Sequence, residues 1–327
     1  MDSLLPVHGG TDAGAEPIHD FSSNANCLAP CPVVLDAVRR ADVSRYPDPH
    51  YTRLREQLGA YHDTTAEHVV IGAGASELIL RLIRHFAGAV QQIAPTFSEY
   101  GRGAALARRE LVTVDSMPRF LEAQRRCPGI GFLCWPNNPT GELYPPDFIA
   151  AAATSGPLVL DLAYAPLCAL DMRELEQAAA RAYRLYSPNK AFGLTGVRGA
   201  YLITPRPEPE LVAQAPSWVI GRDAVSMLET VTGSAALQWL AQALPRLHRR
   251  RKVLAARLGE LGLTVRESPA SFLLAEVGSG SRISQQLRER GIRVRDATSF
   301  GLPQWVRVSA QHQRAQRALV DALRAIL

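Results

Sequence analysis

The sequence has almost no lysine. Lys190 and Lys252 are the only two among 36 Lys and Arg residues, and the rest are arginine. Any chemistry that needs a side-chain primary amine therefore has two candidates. Long hydrophobic runs are missing too. The longest apolar stretches, 157–160 and 163–170, are short or broken by Asp161, far from the roughly 18–20 apolar residues of a membrane span. The start, Met1-Asp2-Ser3-Leu4-Leu5-Pro6, lacks a basic segment followed by an apolar one. No secretory signal is expected, and the expected compartment is the cytoplasm. The five cysteines (Cys27, Cys31, Cys127, Cys134, Cys168) are odd in number and contain no CxxC pair. They read as reduced thiols and argue against a disulfide framework. Cys27 and Cys31 are four apart, but the eight histidines show no HxxH or HExxH spacing, so no metal site is expected.

What is present is the composition of a chain that buries a core. Of 327 residues, 47% are hydrophobic and 20% charged, which excludes wholesale disorder and suits one large or two medium domains. The net charge of +5 raises the question of a nucleic-acid partner. The arginines are scattered at helix-like spacing, however. The one dense run, Arg249-Arg250-Arg251-Lys252, lies inside a long helical pattern and reads as a solvated face. Neither a nucleic-acid nor a membrane partner is expected.

Periodicity gives the fold class. Short apolar strands are predicted at 69–71, 90–94, 111–114, 131–135, 157–161, 183–187 and 199–204, with amphipathic helices at 76–86 and 98–108. Such alternation argues for an α/β fold with a mainly parallel sheet covered on both faces. Its ligand site is expected where the carboxyl ends of strands meet loops. A Pro-rich stretch at 205–209 interrupts the pattern. One long helical region at 223–261 follows. Strands at 273–277 and 306–309 with helices at 282–290 and 311–327 read as a smaller α+β domain. The expected organisation is an N-terminal arm (1–44) packing with the small domain, a large domain (45–220), and a linking helix with the small domain (221–327). Residues 1–20 are polar and read as a loose arm.

Five features fall at strand ends, each with two readings. Ser187-Pro188-Asn189-Lys190 follows an apolar strand, so Lys190 is either a surface residue or an amine held to attack a carbonyl and form a Schiff base. Asp161-Leu162-Ala163-Tyr164 ends a buried strand. Asp161 is either a helix N-cap or a carboxylate that pairs with a buried cation such as a pyridinium nitrogen. Trp135-Pro136-Asn137-Asn138-Pro139-Thr140-Gly141 is an ordinary turn or a means of presenting an amide to a ligand oxygen. Gly72-Ala73-Gly74-Ala75-Ser76-Glu77 is a small-residue turn that also lets backbone N–H groups approach an anion. It is neither a dinucleotide fingerprint nor a P-loop. Arg198, Arg295 and Arg307 are surface residues or clamps for carboxylate and phosphate.

Taken in chain order, these features resemble the fold-type I pyridoxal-phosphate (PLP) enzymes. Within them the chain is similar to the histidinol-phosphate aminotransferase and threonine-phosphate decarboxylase branch. The segments Arg45-Tyr46-Pro47-Asp48-Pro49, Pro95-Thr96-Phe97-Ser98-Glu99-Tyr100-Gly101-Arg102, Pro136-Asn137-Asn138-Pro139-Thr140-Gly141 and Arg307-Val308-Ser309-Ala310-Gln311 look most like the decarboxylase of cobalamin biosynthesis. The resemblance runs from Phe21 to the end. It implies a large PLP-binding domain with a seven-stranded sheet and a small C-terminal domain. It implies that Lys190 holds PLP and moves protons, that Asp161 pairs with the pyridine nitrogen, and that Tyr164 and Asn138 bond the ring hydroxyl. Tyr100 would stack on the ring. Gly74, Ala75 and Ser76, with Ser187 and Arg198, would hold the cofactor phosphate. Tyr46 would reach the cofactor of a neighbouring subunit in a two-fold dimer with shared sites. Arg307 would clamp the substrate carboxylate, with Arg295 and Asn24 on the substrate side as well. Leu162, Ala75 and Trp135 depart from the family pattern.

Two reactions follow from the resemblance. The bond held perpendicular to the ring is the one that breaks. Loss of carboxylate gives a decarboxylase of L-threonine O-3-phosphate. Loss of the Cα proton gives an aminotransferase of histidinol phosphate or a similar amino acid, and the expected partner is a small phosphorylated amino-acid substrate. The expectation is the decarboxylase, with the aminotransferase as the alternative. A binding or regulatory protein without turnover is the remaining class. No helix-turn-helix segment supports it.

Overall fold

The computed structural model describes residues 9–28 and 30–327. Apolar side chains alternate between the two faces of each central strand. In Gly129–Cys134, Ile130, Phe132 and Cys134 join a core with Leu78 and Leu82 of the helix Ala75–His85. Leu133, with Trp135 just beyond, joins a second core with Phe120 and Phe148, from the helices Met117–Arg126 and Pro146–Ser155. The strand Leu158–Asp161 divides alike, Val159 to the first core and Leu158 and Leu160 to the second. Strands buried on both faces need helices on both sides, and these helices supply them.

Seven strands make the large sheet. Their order across it is Val69–Gly72, Ala200–Ile203, Tyr183–Tyr186, Leu158–Asp161, Gly129–Cys134, Ala89–Ile93 and Leu111–Val114. All neighbours run parallel except Ala200–Ile203, which is antiparallel to both partners. The carboxyl ends of the other six thus share one edge. The reversed strand begins at that edge, with Ala200 opposite Gly72.

The smaller domain is a four-stranded antiparallel sheet in the order Arg295–Asp296, Trp305–Ser309, Phe272–Glu276 and Val265–Glu267. Its own core joins Leu254 and Leu258 to Leu273, Ile283, Val306 and Leu319. Phe21, from the N-terminal segment, is fully buried in that core. The short strand His19–Asp20 pairs in parallel with Ile292–Arg293.

The structure corrects three expectations. The single helix expected at 223–261 is two, Arg222–Val231 and Ser234–Gly259. They are separated by Thr232 and Gly233, and Gly233 has the extended backbone of an N-cap. Of the expected loose arm at 1–20, residues 1–8 lie outside the described residues. Residues 9–20 are tied down: the Asp12 carboxylate accepts bonds from Arg288 and Arg293. The basic run is not wholly a solvated face either. Arg251 is buried, with its guanidinium donating to the carbonyls of Ser268 and Ala270. All five cysteines are free thiols. No helix among the described residues is long and apolar enough to cross a membrane.

Candidate active site

Lys190 sits in a one-turn helix, Asn189–Phe192, immediately after the strand Tyr183–Tyr186. Its ammonium lies 5.2 Å from the centroid of the Tyr164 ring. The turn is fastened from the N-terminal side: the Asn26 amide donates to the Lys190 carbonyl at 2.9 Å, and Asn26 Nδ2 donates to the Ala191 carbonyl at 3.1 Å. Lys190 opens onto a cavity of about 320 Å³ whose wall includes Asn24, Asn138, Tyr164, Arg295 and Arg307. It also opens onto an adjoining space of about 70 Å³ lined by Ala75, Ser76, Asp161, Ser187 and Arg198.

Asp161 ends its strand beside Cys134 and is almost wholly buried. It caps no helix, and each of its oxygens has one neutral donor. Oδ1 accepts the Ala163 amide at 3.0 Å, a local turn-capping bond. Oδ2 accepts the Tyr100 hydroxyl at 2.9 Å. Burial raises its pKa; these two bonds and the charge of Lys190 oppose that without cancelling it. Both hydrogen-bond donors are neutral, so the carboxylate faces the cavity without a directly bonded cation.

Tyr100 is the main correction among the predicted site residues. It is fully buried behind Asp161, stacked on Phe132 with centroids 4.8 Å apart, and is not part of the cavity wall. Of the two aromatic residues of that motif, Phe97 is the one on the wall. Phe97 precedes the helix Ser98–Leu106 in extended conformation. Tyr100, one turn later, points the other way, into the sheet.

On the opposite side, Gly74 caps the helix Ala75–His85 with φ +93°. A side chain there would be strained, and a Cβ would lie 2.3 Å from Arg198 Nη2. The absence of that carbon lets the Arg198 guanidinium close on the helix N-terminus, where the first amides have no acceptor within the helix. Arg198 reaches this edge because it directly precedes the reversed strand. The Ser187 hydroxyl completes this wall and bonds Asn189 Oδ1 at 3.0 Å.

The remaining wall comes from the small domain. Arg307 Nη1 donates to Asn138 Oδ1, and Nη2 donates to the Ser22 carbonyl at 2.9 Å, while its buried Nε is without a partner. Arg295 Nη2 donates to Ser299 Oγ at 2.6 Å. Each arginine is 5% exposed. Burial depresses both guanidinium pKa values, and the nearby Arg307 charge adds to the effect at Arg295, which falls to about 10. Two buried like charges at one wall call for an anion. Asn24 Nδ2 lies 3.4 Å from the Tyr164 hydroxyl, and its buried Oδ1 has no partner.

One predicted residue stands apart. Tyr46 is 74% exposed and stacks on Trp218, with centroids 4.3 Å apart. It does not line its own chain's cavity. Sequence reasoning missed Phe97, although its motif was in view, and Cys134, Gly9, Gly10 and Thr195 on the walls. Only Phe97 carried a sequence signal.

Comparison with known proteins gives a consistent picture. The family model described as aminotransferase class I and II matches residues 16–323. A histidinol-phosphate aminotransferase from Symbiobacterium thermophilum is 31% identical over 337 residues, covering 95% of this chain and 91% of that protein. The crystal structure of histidinol-phosphate aminotransferase from Sinorhizobium meliloti in complex with pyridoxal-5'-phosphate superposes with a TM-score of 0.83 at 22% identity, over 95% of this chain and 92% of that one. L-threonine-O-3-phosphate decarboxylase from Porphyromonas gingivalis superposes with a TM-score of 0.81 at 20% identity, over 94% and 99%.

Proposed function

Since this chain belongs to the class I and II aminotransferase family, a PLP-dependent family, we propose that it is an aminotransferase acting on a small phosphorylated amine or amino acid of the histidinol-phosphate kind. The observation that carries this is the meeting, in one cavity, of the Lys190 amine with two buried arginines. The amine faces the carbonyl chemistry and the arginines face an anionic substrate. Near-full-length relatives named histidinol-phosphate aminotransferase support transamination over the decarboxylation first expected from the motifs.

The residues fit PLP. Asp161 is a buried carboxylate with neutral donors only, suited to a protonated ring nitrogen. Gly74, Ser76, Ser187 and Arg198 form a cradle that a Cβ at position 74 would fill. Asn138 and Tyr164 would hold the ring's polar edge, and Phe97 would take the stacking role expected of Tyr100. When bound, PLP supplies an electron sink that stabilises negative charge at the substrate Cα.

This chain's own residues do the rest. Lys190 would act as the base that takes the proton from the substrate Cα and holds it for return. Asp161 would balance a protonated nitrogen brought against its carboxylate. Arg307 and Arg295 would dock the substrate's anionic groups and so fix the orientation of its Cα bonds. Arg307→Ala should raise KM by roughly 10–100-fold while leaving cofactor affinity within about twofold, since uniform substrate binding is what it removes. Steady-state kinetics with a parallel PLP titration checks this. Unchanged KM would remove the clamp.

One observation favours a second reading. O-phospho-L-threonine carries both a carboxylate and a phosphate, one for each arginine, whereas histidinol phosphate carries a phosphate alone. On this reading the enzyme is the threonine-phosphate decarboxylase of cobalamin biosynthesis. The transamination reading uses the same pair for the two carboxylates of 2-oxoglutarate. One assay separates them: supply histidinol phosphate with 2-oxoglutarate, and separately phosphothreonine, then measure glutamate and CO₂. Glutamate is expected; CO₂ without glutamate reverses the assignment.

The exposed Tyr46–Trp218 pair supports a two-fold dimer in which Tyr46 serves the partner's site. The division into residues 1–44, 45–220 and 221–327 belongs to the same proposal.

A further inference from the structure

The cavity has a wall that no motif announced. Gly9 and Gly10 lie on it, in the same cavity as Lys190, in a strap that continues through residue 15. The strap is shaped by close backbone approach. A Cβ at Gly9 would fall 2.1 Å from the Ser22 carbonyl oxygen, and Gly10 has φ +99°. The Gly10 amide donates to Ser22 Oγ at 2.8 Å. The Ser22 carbonyl in turn accepts from Arg307. The strap therefore leans on the same peptide that positions the substrate-side arginine.

One side chain behind the wall holds the strap. Arg293 is 5% exposed and does not line the cavity. Its Nη1 donates to the Gly10 carbonyl at 2.8 Å. Its Nη2 donates to Asp12 Oδ1 at 3.1 Å and to the Ala15 carbonyl at 3.3 Å. Arg288, from the helix Gly280–Glu289, donates to the same Asp12 oxygen, as does the Gly14 amide. The bond from Arg288 and the Gly14 amide hold the Asp12 carboxyl at about 2, so the latch stays charged across ordinary assay conditions.

We propose that Arg293 is a positioning residue: through Asp12 and the Gly10 carbonyl it latches the strap of residues 9–15 against the substrate side of the cavity and thereby sets substrate affinity without touching substrate. The latch ties the strap to the small domain alone. The Gly10–Ser22–Arg307 contacts carry its effect to the docking arginine. Charge-assisted bonds of this kind are among the stronger single contacts, and three converge on one guanidinium. The inference rests on the cavity beside Lys190 being the substrate site. It holds for either reaction considered above.

The test uses the PLP-loaded protein with Arg293→Ala, Arg293→Lys and, on the exposed partner, Asp12→Ala. Hydrogen–deuterium exchange of the 9–15 peptide is read alongside KM, kcat and PLP affinity. Arg293→Ala and Asp12→Ala should speed exchange of the strap and raise KM for histidinol phosphate or phosphothreonine, whichever is turned over, by about tenfold. kcat and PLP affinity should stay within about twofold. Arg293→Lys keeps the charge but not the fork, and should recover part of the KM. Should Arg293→Ala fail to fold, Asp12→Ala decides. Faster exchange with unchanged KM, or equal losses in PLP affinity and kcat, overturns the proposal. If neither substrate is turned over, the proposed reaction fails on its own. Dissociation constants for the same two phosphorylated compounds, measured by calorimetry, then replace KM as the arbiter of the latch.

Discussion

Lys190→Ala is expected to reduce turnover by about 10³-fold or more, since it removes both the nucleophilic amine and the proton carrier. It should also abolish the visible absorbance of covalently held cofactor. Lys252→Ala should do neither. The contrast is unusually clean because these are the only two lysines in the chain. Lys252 is exposed on the helix Ser234–Gly259, whereas Lys190 is half-buried between a strand end and the N-terminal segment that bonds its carbonyl. Borohydride reduction followed by peptide mapping gives a check independent of activity. A label on the peptide containing residue 252, or equal losses in both variants, would remove the site.

The second large effect belongs to Asp161→Asn, and its two parts have opposite signs. Turnover should fall by about 10²–10³-fold, because a neutral amide does not hold a protonated ring nitrogen. The cofactor-free protein, by contrast, should gain stability of about 1 kcal/mol, because an unpaired buried charge is removed. The pH dependence follows from the same burial. Asp161 has a raised folded-state pKa, so its contribution to stability is fully present below the unfolded carboxylate value and is lost as pH rises through the folded one. Wild-type cofactor-free protein should therefore lose stability with rising pH above about 4 relative to Asp161→Asn, and PLP should narrow the gap. Thermal melts at several pH values, with and without PLP, test both parts. A variant that is less stable at neutral pH and still active would show that Asp161 is structural.

Much of the site was legible because its chemistry is rare in this composition. With two lysines, one of them following an apolar strand, Lys190 stood out. An acidic residue closing a buried strand marked Asp161. Phe97 and Tyr100 were not separable, because both belong to one motif, three residues apart at a helix start. Phe97 faces the cavity because it stands just outside the helix in extended backbone, whereas Tyr100 lies inside it, and the motif does not show where the helix begins. The break at Gly233 was lost for a similar reason: the helical periodicity resumes after two residues and hides the interruption.

Local order along the chain was enough to reveal an α/β core, a smaller second domain, and a lysine and a buried aspartate that line one cavity. Hydrophobic period and residue chemistry are properties of neighbours in sequence, and they survive without a third dimension. The reversal of Ala200–Ile203 that brings Arg198 to the carboxyl edge of the sheet is of another kind, as is the packing of Tyr100 behind Asp161. So is the bond from Arg293 to the Gly10 carbonyl, 283 residues away in the chain. These arise from contacts between segments remote in the chain, and burial and charge select among such contacts only once the sheet and the small domain have closed on each other.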